Sequence, residues 1–192
     1  MKKVDLGLYL HVPFCLKKCP YCDFYSVEMR VSKYLENRFL KALKEELKLL
    51  KVFLEEKFGI KDLSFITLYA GGGTPSLLSP YFYEDLFNFL AKHFKFSPKE
   101  LTLEANPETL TLEKTKAFYE IGFNRISLGV QSFSSKGLKF LGRLHTLRDT
   151  LKALEFIVKS GFKNFSLDFI FGWKGQGEKT LKREILKALE FQ

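Results

Sequence analysis

Cysteine is scarce in this chain, and its few thiols are not scattered. The 192 residues include 3 cysteines, 1 tryptophan, 2 methionines and 6 prolines. An odd number of thiols within one short stretch makes a poor disulfide framework. Hydrophobic runs are short as well, and none approaches the roughly 18 apolar residues of a membrane-spanning helix. The N-terminal Met1-Lys2-Lys3-Val4-Asp5 leads into a strand without a signal-peptide core or cleavage site, so a reducing compartment, the cytoplasm, is expected. No glycine run ends in the Gly-Lys-Ser/Thr of a P-loop, and no Gly-x-Gly-x-x-Gly dinucleotide turn is present. A dense basic arm is lacking too. The net charge is +9, from 31 Lys and Arg against 22 Asp and Glu, but lysines and glutamates interleave in stretches such as Lys41-Ala42-Leu43-Lys44-Glu45-Glu46-Leu47-Lys48. That pattern describes a solvated helix face, and nucleic acid is not expected as a partner.

What is present suits a globular α/β domain over residues 1–192, with 46% hydrophobic and 28% charged residues. Strands are expected at Leu6–Val12, Ser64–Tyr69, Leu101–Ala105, Arg125–Gly129 and Phe165–Ile170. A long helix, about Lys33–Phe58, carries an apolar stripe at Leu35, Phe39, Leu43, Leu47, Leu50, Leu54 and Phe58. Ser79-Pro80 starts a second helix that buries Phe82, Leu86 and Phe89. A third follows Thr111. Thr146 and Asp149 form a capping box before a helix burying Leu147, Leu151, Leu154 and Val158, and the last helix runs from Glu178 toward Gln192. Strands alternating with long crossovers predict a parallel sheet: a partial TIM-like barrel of five βα units.

The cysteines form one motif, C-x3-C-x2-C, at Cys15, Cys19 and Cys22. Three readings compete for it. Structural zinc takes four protein ligands and would have to borrow His11. Unligated cysteines normally spread through a core. Three thiolates can instead hold three corners of a [4Fe-4S] cluster, leaving the fourth iron open to an outside ligand, and the spacing favours this reading. The other unusual residues sit at the C-terminal ends of the strands, the rim that carries active sites in barrel-like α/β folds. Gly71-Gly72-Gly73-Thr74 follows the second strand, Glu104 ends the third, Gln131 follows the fourth and Asp168 closes the fifth. Each has a plain alternative. Three glycines often make only a turn, and Arg143 could simply pair with Glu104 or Asp168. Asp168 lies in the apolar run Phe165–Ile170, where a buried carboxylate needs a partner. His11 reads as a satisfied core histidine rather than a ligand, and His93 as a helix-terminal residue.

Together these motifs resemble the radical S-adenosylmethionine (SAM) superfamily, whose hallmark is C-x3-C-x2-C with an aromatic, here Tyr21, before the last cysteine. Tyr9-Leu10-His11-Val12-Pro13-Phe14-Cys15, Gly71–Ser76, Glu104-Ala105-Asn106-Pro107, Asn124–Phe133 and Leu141-Gly142-Arg143-Leu144-His145 resemble the oxygen-independent coproporphyrinogen III oxidase-like family. True oxidases of that family carry a further cysteine two residues after the third. Here Phe24 stands in that place, which resembles the haem-chaperone (HemW-type) branch.

The resemblance implies that Cys15, Cys19 and Cys22 hold the cluster and that SAM binds the open iron. Gly72, Gly73 and Thr74 would then contact the methionine end, and Arg143 the carboxylate. Glu104, Gln131 and Asp168 would add polar contacts, Asp168 to the ribose, while Tyr9 and Tyr21 line the pocket. The chemistry implied is one-electron cleavage of SAM to methionine and a hydrogen-abstracting 5′-deoxyadenosyl radical, with haem or a porphyrin as a further ligand. A coproporphyrinogen oxidase, or a non-enzymatic remnant or zinc scaffold, are the rival functions. Lys17 and Lys18, inside the cysteine loop, suit docking of an acidic electron donor such as a flavodoxin-like protein, or are merely solvated. Two departures stand out. Gly172-Trp173-Lys174-Gly175-Gln176-Gly177 replaces the family's Gly-Leu-Pro-Gly-Gln-Thr, and a sixth strand and C-terminal domain are expected to be missing. A sheet that stops at Phe165–Ile170 would expose an edge open to self-association.

Overall fold

A computed structural model describes residues 3–191. Strand β1 (Lys3–Val12) leads into two short strands, β2 (Phe14–Cys15) and β3 (Val27–Glu28), which bracket the cysteine loop. Helix α1 (Lys33–Phe58) then precedes β4 (Asp62–Gly72), α2 (Pro80–His93), β5 (Lys95–Ala105), α3 (Leu112–Glu120) and β6 (Arg125–Gln131). Helices α4 (Ser135–Phe140) and α5 (Leu147–Lys159), strand β7 (Asn164–Phe169) and helix α6 (Glu178–Leu189) complete the described chain. The long strands form one wholly parallel sheet in the order β1-β4-β5-β6-β7. Successive strands are neighbours joined through helices, so the fold is α/β: five βα units of a partial barrel.

The helices start and stop where local chemistry requires. Ser32 Oγ accepts from Leu35 N at the start of α1, and Gly59 ends that helix in the left-handed region at φ 66°. Ser79 caps α2 with Pro80 in its first turn, and the Thr146–Asp149 capping box opens α5.

One face of the sheet is apolar, with Leu10, Val12, Leu68, Ala70, Leu103, Ile126, Leu128 and Val130 buried among the core residues. Alternation along each strand sends the intervening residues to the opposite face. There the side chains are polar. Arg125 Nη2 donates to Ser166 Oγ at 2.9 Å, and Ser127 Oγ donates to Asp168 Oδ2 at 2.8 Å. Strands buried on both faces usually read as continuous apolar runs. The polar ladder shows that this sheet keeps one face for another purpose.

Two expectations, both about helix faces, need correction, and the β7 edge is as expected. The buried face of α5 is Thr150, Ala153, Leu154 and Ile157, whereas Leu151 and Val158 are 36% and 58% exposed. Small residues meet the core there, so the apolar stripe is rotated from the one that leucine and valine spacing suggests. In α1, Leu40 and Leu47 are buried, while Leu50 and Phe58 face outward. In β7, Phe165, Leu167 and Phe169 are half-buried against the core, and Phe169 packs on Phe133 at 5.3 Å. β7 is an edge strand among the described residues, but its apolar side chains are not bare. Gln192, at the end of the last expected helix, lies outside the described residues.

The revised face of α5 has a simple consequence. Leu154→Ala should lower the unfolding free energy by about 2–5 kcal/mol through lost burial and a cavity. Leu151→Ala should cost no more than about 0.5 kcal/mol. Urea titration of the two variants compares them, and equal losses would mean that the wrong face has been assigned.

Candidate functional site

β1 delivers the chain to Pro13-Phe14-Cys15, where backbone bonds fix the base of the cysteine loop. Val27 N donates to Pro13 O at 2.6 Å and Met29 N to Cys15 O at 2.8 Å. Within the loop, Cys22 N donates to Cys19 O at 3.0 Å, closing a turn, and both residues line the same cavity. All three cysteines are free and half-buried.

The glycine segment after β4 is sewn to this loop. Gly73 N donates to Val12 O at 2.7 Å, and Thr74 N to Phe14 O at 2.8 Å. Thr74 Oγ1 lies 3.5 Å from Cys15 Sγ, within the range of a weak hydrogen bond to sulfur. The approach is so close that a Cβ on Gly73 would sit 2.7 Å from Phe14 O and 3.1 Å from Cys15 Sγ. Glycine is therefore required for contact, not merely for a turn. Gly72 combines φ 108° with packing against the His11 ring.

A cavity of about 730 Å³ opens at this junction, a size typical of sites for small ligands and cofactors. Cys15, Cys19, Cys22, Tyr21, Gly72, Gly73 and Thr74 line one side. Glu104, Gln131, Arg143 and Asp168 line the other. Tyr9 is not part of the lining. It is 57% exposed on β1, where its hydroxyl bonds His11 Nδ1 at 3.2 Å and its ring stacks on Tyr69.

Each polar group has a defined setting. Glu104 accepts from Tyr69 OH at 2.7 Å and from Gly72 N at 3.1 Å. Burial raises its pKa; these two bonds pull against the shift, and nearby Asp168 adds to it. Asp168 itself is exposed on the edge strand rather than buried, so the expected need for a burial partner does not arise. Gln131 has φ 63°, the only non-glycine residue in the left-handed region among the described residues. Such a conformation costs free energy and commonly marks a functional turn. Arg143 pairs with neither Glu104 nor Asp168. It reaches Asn106 Oδ1, Tyr21 OH at 3.4 Å and Cys19 Sγ at 3.5 Å, with Glu108 as its carboxylate at 3.9 Å.

Several cavity residues escape a strand-end reading. Asn106 and Ser127 line the cavity, and both are traceable: Asn106 follows Glu104 by two residues, and Ser127 alternates onto the face of Asp168. Ser26 also lines it, and its hydroxyl is buried without a partner, a vacancy for hydrogen bonding that a ligand could fill.

The donor set can be tested against the groups considered for it. Both ring nitrogens of His11 are engaged, with Nε2 2.9 Å from Tyr25 O, which leaves no zinc ligand there. Among the described residues no three His, Cys, Asp or Glu side chains converge as a single ion requires. Three soft thiol donors lining one cavity, with no hard-ligand partner among them, suit an iron–sulfur cluster. The residues fit that group.

The profile of the Radical SAM superfamily matches residues 9–188. The chain belongs to the radical SAM superfamily. It is 36% identical over 191 residues to the heme chaperone HemW of Haemophilus influenzae, covering 98% of this chain and 49% of that protein. Against HemW of Bacillus subtilis the identity is 38% over 183 residues, covering 94% and 46%. Among solved structures, the radical SAM enzyme coproporphyrinogen III oxidase (HemN) of Escherichia coli superposes with a TM-score of 0.84 at 25% identity. That match covers 99% of this chain and 42% of the oxidase. The chain thus spans about half the length of the curated relatives it matches.

Glu108 supplies a pH test of the site's electrostatics. Burial works against its charge, but the bond to His145 and the Arg143 charge outweigh burial and lower its pKa. A depressed carboxylate contributes stability above its ordinary pKa and loses it as pH falls through the folded value. The stability gap between wild type and Glu108→Gln should therefore shrink as pH drops below about 4. Denaturation midpoints from pH 7 to 3 measure it, and a constant gap would mean that Glu108 is not held charged.

Proposed function

We propose that this chain is the cofactor-binding core of a haem-chaperone-type radical SAM protein. The observation that carries the reading is the convergence of three thiols and the strand-end polar groups on one cavity. Cys15, Cys19 and Cys22 would hold a [4Fe-4S] cluster. Gly72, Gly73 and Thr74 would present backbone and hydroxyl donors to the methionine end of SAM, and Arg143 a guanidinium to its carboxylate. Glu104, Gln131 and Asp168 would meet its remaining polar groups, with Asp168 facing the ribose and Tyr21 walling the pocket. When bound, the pair supplies one-electron chemistry that ends in hydrogen abstraction.

The protein's part is to orient these groups and limit water. Glu104 is held by Tyr69 and Gly72, so its carboxylate is fixed before any ligand arrives. Haem is the ligand that the names of the HemW relatives support. A reducing, cytoplasmic setting suits three unpaired thiols. Lys17 and Lys18 are exposed beside the thiols, where like charges would speed encounter with an acidic electron donor.

An oxidase acting on coproporphyrinogen III is the second reading, favoured by the likeness to the E. coli oxidase. Phe24 argues against it. It lines the cavity where true oxidases carry a further cysteine, and it is 68% exposed. Conversion of coproporphyrinogen by the reconstituted protein would decide for the oxidase.

Anaerobic reconstitution tests the leading reading. The wild type should take up iron and sulfide in equal amounts and turn brown, whereas Cys19→Ser should lose the cluster absorbance yet stay folded by circular dichroism. An unchanged spectrum in Cys19→Ser would refute the ligand assignment. Arg143→Ala and Asp168→Ala should keep the cluster and bind SAM about tenfold to a hundredfold more weakly, as expected for loss of a charge-assisted hydrogen bond. Wild-type affinity in both would remove the pocket from the account.

A further inference from the structure

Arg143 is the one guanidinium lining the cavity among the described residues, and its side chain is only 6% exposed. A buried cation stays in place only if its charge is balanced and its donors are met. Asn106, Tyr21 and Cys19 meet some of its donors from within the cavity, but its carboxylate and a further acceptor come from outside. Glu108 lies in the short turn Pro107–Thr109 after β5, and its carboxylate is 3.9 Å from Arg143 Nη2. His145 is wholly buried, with Nε2 3.1 Å from Val130 O, so the proton on that nitrogen is fixed by a backbone carbonyl of β6. Its Nδ1 faces both Glu108 Oε2 at 3.2 Å and Arg143 Nε at 3.4 Å. The neutral ring accepts from the guanidinium, and the charged ring donates to the carboxylate. In either state ring and carboxylate together bracket Arg143. Neither Glu108 nor His145 lines the cavity.

The cysteine loop meets the same segment. Gly142, at φ 68°, packs so tightly against Pro20 that a Cβ would lie 2.8 Å from Pro20 Cδ. Arg143 therefore stands between two fixed bodies, the loop on one side and the Glu108–His145 pair on the other.

We propose that Glu108 and His145 are positioning residues that hold the Arg143 guanidinium toward the cavity, and so set its affinity for a carboxylate-bearing ligand. The inference rests on the reading of the cavity as a SAM site, and its test separates the two. Reconstituted wild type, Glu108→Gln and His145→Gln are titrated with SAM and with 5′-methylthioadenosine, which has the nucleoside and sulfur but no carboxylate. Both variants should bind SAM about tenfold more weakly, as for loss of residues that orient a ligating group. Affinity for 5′-methylthioadenosine should not change, an outcome that general damage to the pocket would not produce. Glu108→Asp, which keeps the charge, should recover part of the loss.

A second readout needs neither cluster nor SAM. In the purified chain the buried Arg143 Nε–H should give a slowly exchanging proton–nitrogen resonance, absent in Arg143→Lys and lost or broadened in Glu108→Gln and His145→Gln. If Glu108→Gln does not fold, His145→Gln, which keeps a donor for Val130 O, carries both measurements. Unchanged SAM affinity with an unchanged Arg143 signal overturns the proposal, as does an equal loss for both ligands. If the wild type binds neither ligand, the SAM reading falls, and the Arg143 resonance alone decides the positioning.

Discussion

Two backbone hydrogen bonds, Gly73 N to Val12 O and Thr74 N to Phe14 O, tie the turn after β4 to the strand that enters the cysteine loop. The site depends on them. They set Cys15 against the glycine backbone and Thr74, and they are possible only because position 73 carries no side chain. The turn is held from behind as well. Lys114 Nζ donates to Ser76 O at 2.6 Å, Tyr83 OH to Pro75 O at 2.8 Å, and Glu36 accepts from both Ser79 N and Ser79 Oγ. Burial lowers the Lys114 pKa to about 8, with Glu36 pulling the other way. This largely desolvated ammonium also donates to Leu77 O at 3.3 Å, a second backbone anchor for the turn.

From that anchor the division of labour in the sheet follows. The apolar face packs against helices, and the aromatic group around Tyr83, with Phe118 at 5.9 Å and Phe123 at 5.0 Å, fills the space behind β4 and β5. The polar face is left to the cavity and its floor. Function is placed where the parallel strands end, because every strand there releases its last inward residue beside its neighbour's. Glu104, Ser127 and Ser166 occupy matched registers on three adjacent strands. α6 adds a tether of its own: the buried Glu184 accepts from Phe133 N at 2.7 Å and from Ser132 Oγ, just after the strained Gln131.

Much of this was legible in the residues. The five long strands and the rim positions of Glu104, Gln131 and Asp168 follow from period-two patterning and from where polar residues interrupt it. The capping box at Thr146 and the proline start of α2 are local chemistry and read directly. What did not read is non-local. Strands of two residues, such as β2 and β3, have no periodicity to detect. Tyr9 belongs to the expected strand but lies outside the cavity, exposed, with its hydroxyl on the His11 ring. The partner of Arg143 proved to be Glu108, 35 positions earlier in the chain, and spacing carries no trace of that pairing. In α5 the small Thr150 and Ala153 face the core, so a reading weighted toward large apolar residues turns the helix the wrong way.

The central claim is that the thiols and the strand-end groups form a single site, with SAM bound at the open corner of a cluster. Electron paramagnetic resonance of the reduced, reconstituted chain, recorded with and without SAM, addresses it directly. A ligand on the open iron alters that iron's electronic environment, so the g-values of the reduced cluster should shift on adding SAM. The shift should need a higher SAM concentration in Arg143→Ala. A well-formed cluster signal that SAM leaves untouched would contradict the account, because thiols and pocket would then be neighbours without being one site.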